Sequence, residues 1–156
     1  MTNNNLTLTK ALYFFRSFKG DEITFENSYC GTYTDFYSEI HGVGITSLRV
    51  KVDPSYINPD CVDKDNMTDV SIDSIRTVLN KNTPIELFEI DGKIETLRGF
   101  ILKNRMFFNG SEQQTLDNLL KKLEQFYSKV LLEQSLDITK EKKIERSRFY
   151  SLFIDL

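Results

Sequence analysis

The chain has 156 residues, with 20 Lys and Arg against 23 Asp and Glu, one His, two Cys and no Trp. That length supports one compact domain with a real core. The longest unbroken apolar run, Ala11–Phe15, falls far short of the roughly 20 residues of a membrane span, and a single imidazole excludes every zinc or hydrolase motif that needs two.

The first residues, Met1 to Asn5, lack the basic start and apolar stretch of a secretory leader. With no leader, Cys30 and Cys61 are expected as free thiols in a reducing cytosol. Ala occurs once, Gly seven times and Pro three times, while Asn, Ile and Lys are plentiful. Such usage points to an AT-rich gene, as in a low-GC bacterium, its phages or its mobile elements. Charge is unevenly spread. Residues 20–73 carry 11 acids and 3 bases, a net of −8, and the remainder carries +5.

In chain order, Leu8, Ala11, Leu12, Phe15 and Phe18 follow helical spacing behind a Thr7 cap, with Gly20 past the end. A short strand, Ile23–Phe25, follows. Thr32, Asp35 and the face Tyr33, Phe36, Tyr37, Ile40 predict a two-turn helix closed by Gly42. Thr46–Val52 alternates strictly, so Leu48 and Val50 face inward and Arg49 and Lys51 outward. Residues 54–69 read as an acidic irregular stretch. Ile72, Ile75, Val78 and Leu79 predict a short helix over 70–79. Asp91-Gly92 between Ile85–Ile90 and Lys93–Leu97 predicts a hairpin with a type I′ turn, and Arg105–Phe108 a further strand. Ser111 to Gln114 reads as a capping box ahead of a long helix carrying Leu116, Leu119, Leu123, Phe126 and Val130. A last helix carries Phe149, Leu152, Phe153 and Leu156.

The expected fold is a single domain over 1–156 of α+β class. Residues 1–110 would form an antiparallel sheet of three to five strands with helices on one face, and residues 111–156 a long C-terminal helical hairpin.

Catalytic constellations fail one by one. Cys30 and His41 would lie at opposite ends of the predicted 33–40 helix, too far apart for a nucleophile and its base. Asp60 with Asp91 and Lys93 imitates a PD-(D/E)xK metal-nuclease pattern, yet Asp91 is better explained as a turn residue. The run Asp63 to Asp69 has Met67 and Thr68 where a calcium loop needs an oxygen ligand and Gly. No Gly-rich phosphate loop exists. The basic stretch Lys140–Arg148 is interrupted by Glu141 and Glu145, and a pI near 5.3 argues against nucleic acid as the main partner.

Protein recognition is what remains. The expected function is a non-catalytic binding module, an inhibitor, immunity or regulatory factor, without cofactor, metal or membrane. Tyr56, Asp60, Asp63, Asp65 and Asp69 would meet a basic surface on a protein partner, because charge complementarity steers encounter. The apolar helix over 111–134 would also suit a homodimer. A nucleic-acid-acting protein is the alternative.

Overall fold

The computed structural model describes residues 6–26, 36–135, 143–154 and 156. The protein is α+β: among the described residues it has a five-stranded antiparallel sheet and four α-helices, one of them the long C-terminal helix. It divides into two compact units, 1–81 and 82–156.

The first unit opens with α1 (Leu8–Phe15), capped as expected by Thr7, whose hydroxyl accepts from the Lys10 N–H at 3.2 Å. The strands are β1 (Glu22–Phe25), β2 (Ser38–Val43), β3 (Ser47–Lys51), β4 (Met67–Ser71) and β5 (Ile75–Leu79). They pair in the order β4-β3-β2-β1-β5. The two edge strands are therefore consecutive in sequence, joined only by the 3₁₀ turn Ile72–Ser74. In a flat sheet those edges would lie about 19 Å apart, four spacings of 4.8 Å. A three-residue 3₁₀ turn advances only about 2 Å per residue. The sheet must curl, with one continuous strand leaving it at one edge and re-entering at the other. Bulges between Thr24 and Phe25 and between Ile40 and Gly42 supply the bending. The concave interior takes Ile23, Phe25, Ile40, Leu48, Val50, Val70 and Ile75, all buried. α1 packs on β5 and the 3₁₀ turn.

Two sequence readings change here. The helix predicted over 70–79 is the end of β4, the turn and β5. Ile72, Ile75 and Val78 do have helical spacing, but the β-branched run pairs with β1 from Glu22↔Leu79 to Phe25↔Ile75. The predicted 32–40 helix falls partly outside the described residues, and its end, Ser38 to Ile40, is strand β2.

The second unit contains β6 (Ile85–Glu86), α2 (Leu87–Asn104), α3 (Gly110–Ser135), β7 (Lys143–Ile144) and α4 (Arg146–Tyr150). The hairpin predicted over 85–97 is mostly α2. Leu87, Ile90, Ile94, Leu97 and Ile101 repeat at 3 and 4 and are all buried, so the burial of that stripe outweighs the turn preference of Asp91-Gly92. Arg105–Phe107 is a 3₁₀ turn, not a strand. The capping box lies two residues earlier than predicted: Asn109 Oδ1 accepts from the Glu112 N–H at 2.8 Å, and Glu112 Oε1 from the Asn109 N–H at 3.1 Å. From this start α3 runs 26 residues, about 39 Å. It packs on α2, and the 3₁₀ turn Ser151–Phe153 at the chain end also packs on it. The chain end is the short α4 followed by the 3₁₀ turn Ser151–Phe153.

Candidate functional site

The acidic stretch between β3 and β4 is irregular in hydrogen-bond class but not in construction. Three side-chain-to-backbone turns follow one another. Asp53 Oδ1 accepts from the Ser55 N–H at 2.9 Å and the Ser55 hydroxyl at 2.8 Å, opening the 3₁₀ turn Pro54–Tyr56. Asn58 Oδ1 accepts from the Asp60 N–H at 3.0 Å, opening Pro59–Cys61 in the same way. Proline suits both starts, since its fixed φ fits the first helical position and no N–H is lost there. Asp63 Oδ1 then accepts from the Asp65 N–H at 2.9 Å and the Met67 N–H at 3.0 Å. Asn66 takes φ of 62° to close that last turn, a conformation Asn tolerates better than most residues.

Arg49, on the outer face of β3, clamps the loop from below. Its guanidinium bonds both Asp63 and Asp69, the latter at 3.2 Å. The Met67 N–H, more than any other group, holds the Asp63 carboxyl below its ordinary value, and Arg49 adds to this. The Ser55 N–H does the same for Asp53.

The five residues singled out from sequence therefore divide. Asp63 and Asp69 are brought together on Arg49 and spend their charge on shaping the loop. Asp60 and Asp65 are exposed and have no ion-pair partner among the described residues. Tyr56 stacks on Phe36 with ring centroids 3.5 Å apart, and each side chain stays 36% exposed. Arg49 was missed as a loop clamp; its place on the polar face of β3 was the available signal. The repeated Asx-Pro steps, Asp53-Pro54 and Asn58-Pro59, signalled the ordered turns.

Cys61 lies in this loop and is disulfide-bonded; no described cysteine is free. The free-thiol expectation thus fails for Cys61, and the case for a reducing cytosol loses its premise. Cys30 lies outside the described residues. His41 is not at a helix end but is the extra residue of the β2 bulge, with Nε2 3.1 Å from Glu39 Oε1.

The nuclease pattern does not assemble. Asp91 and Lys93 are two positions apart on α2, about 200° around its axis. Asp91 is exposed and Lys93 is 4% exposed, so the carboxylate that would hold the metal and the Lys that would assist its water do not face one site. No group of three His, Cys, Asp or Glu able to hold a metal occurs among the described residues.

The basic C-terminal stretch is also partly structural. Arg146 is 3% exposed, and its Nε donates to the Thr83 carbonyl at 2.6 Å and its Nη1 to the Tyr150 hydroxyl at 3.1 Å. Arg148 pairs with Glu133 at 3.3 Å. Burial pushes the Glu89 carboxyl above its ordinary value, partly opposed by Arg146. Lys140 and Lys142 lie outside the described residues.

No helix among the described residues is long and apolar enough to cross a membrane. No family model, curated protein or solved structure matches the chain.

Proposed function

We propose that the chain is a non-catalytic protein-binding module that presents the 53–69 loop to a basic surface of a partner protein, in the manner of an inhibitor, immunity or regulatory factor. One observation carries the reading: a loop fixed by three Asx turns, the Arg49 clamp and a disulfide leaves Asp60, Asp65 and the Tyr56–Phe36 stack exposed. A pre-shaped surface loses little conformational freedom on binding, and unpaired carboxylates attract a cationic partner and orient it. Residues 1–81 hold 11 acids and 8 bases, whereas residues 82–156 are balanced at 12 each. The negative field therefore belongs to the unit with the loop. A disulfide persists in oxidising surroundings, which favours a place of action outside the reducing cytosol. A second copy joined through α3 would use Leu131 and Leu132, the exposed leucines at its C-terminal end.

The test is affinity capture from the native host with three baits: the wild-type chain, the double variant Asp60→Lys/Asp65→Lys, and the control Asp91→Lys on α2. The expected result is a partner held by wild type and control, released by added salt and lost by the double variant. Equal capture by all three baits would acquit the loop.

A further inference from the structure

A shallow groove of about 300 Å³ lies between α3 and the C-terminal turn, lined by Lys122, Gln125, Phe126, Lys129, Ser151 and Leu152. Its floor is apolar, made by Phe126 and Leu152. Its α3 wall carries the exposed Lys129, with Gln125 one turn before it and Lys122, seven positions or about 10.5 Å away, on the same helix face. Among the described residues the lining contains no carboxylate. Behind the floor, the Arg148 guanidinium sits 5.5 Å from the Phe126 ring centroid and is tied to Glu133, so that acid is already engaged. The Ser151 hydroxyl donates to the Arg148 carbonyl at 2.6 Å, which leaves the amide of Gln125 and the exposed Lys129 ammonium as donors facing the groove.

We infer that this groove takes a small amphipathic anion, with its apolar body on Phe126 and Leu152 and its anionic head toward Lys129 and Gln125. An apolar floor with a few polar groups at one side is the usual make-up of a small-ligand site, and the volume is at the low end of such sites. A short acid fits, and a larger cofactor does not. The occupant differs in both charge and size from the basic protein partner of the 53–69 loop, so neither proposal depends on the other.

The test is a titration of the full chain with octanoate and with octylammonium, followed by amide NMR shifts. Octanoate is expected to shift the amides of Gln125, Lys129, Ser151 and Leu152 saturably at millimolar concentration, and octylammonium to leave them unmoved. Lys129→Glu should weaken octanoate at least about threefold, the scale of losing one exposed charge contact. Lys121→Glu, an equal charge change on the same helix outside the groove, should not. Equal binding of both probes would show a merely greasy surface and overturn the inference. So would no saturable shift at the groove, or equal loss with the two variants.

Discussion

The side chain expected to matter most to the first unit is Asp21, which is 0% exposed. Its Oδ2 accepts from the Phe18 N–H at 2.9 Å and from the Asn80 side-chain amide at 2.9 Å, and its Oδ1 from the Lys81 N–H at 2.8 Å. Its own carbonyl accepts from the Ile40 N–H at 2.8 Å. One residue thus ties the turn after α1 to β2 and to the chain leaving β5. Asp21→Ala removes the acceptor for these three side-chain bonds. Asn80 keeps its bond to the Arg16 carbonyl at 2.9 Å, but the buried Phe18 N–H and the part-buried Lys81 N–H lose the Asp21 acceptor. An orphaned buried donor costs about 1–3 kcal/mol. Two of them, less about 1 kcal/mol for no longer burying a carboxylate, give about 1–5 kcal/mol. That is a large share of the roughly 5–15 kcal/mol that holds a typical domain together. Asp21→Asn keeps one acceptor but turns an amide donor toward existing donors, for about 2–3 kcal/mol. The assay is urea unfolding followed by far-ultraviolet circular dichroism. With a slope of about 2 kcal/mol per molar, the midpoint of Asp21→Ala should fall by about 0.5–2.5 M. A midpoint within about 0.5 M of wild type would refute the reasoning, because the orphaned donors would then have found other partners.

Two further outcomes are expected. Glu89 has its carboxyl raised by burial; its share of the stability is present below the ordinary glutamate value and lost as pH rises through the raised one. Glu89→Gln should therefore flatten the fall in thermal midpoint just above the ordinary value and match or exceed wild type at neutral pH. A midpoint below wild type throughout would show that the Arg146 attraction dominates instead. Cys61, being disulfide-bonded, should resist maleimide in the folded chain until a dithiol reductant is added, and labelling without reductant would remove the bond from the account of the loop.

How much of this could be read from sequence depends on whether the deciding interaction was local. The Thr7 cap, the inward Leu48 and Val50 of β3, and the stripe of α3 were legible because a cap or a periodicity settles each of them. Asp91-Gly92 misled because a two-residue turn preference is weaker than the burial of five apolar side chains along α2. Residues 70–79 misled for a different reason. Ile72, Ile75 and Val78 satisfy a helical spacing, and only the distant partners Ile23 and Phe25 select the extended form. Asp21 looked like one more acid in an acidic segment, since its donors come from residues 18, 80 and 81. In the candidate site, the acids were visible and their division of labour was not. Which carboxylates Arg49 consumes depends on how β3 and β4 align, with Arg49 opposite Asp69.

The turn at Ile72–Ser74 also governs the order in which the chain can mature. β1 leaves the ribosome well before β5, the partner that closes it, with Glu22 opposite Leu79. Pairings between such distant segments form slowly. Until that late strand emerges, one margin of β1 stays open to neighbouring nascent chains. Production of the protein should therefore be most sensitive to crowding and temperature while the stretch between β1 and β5 is being translated.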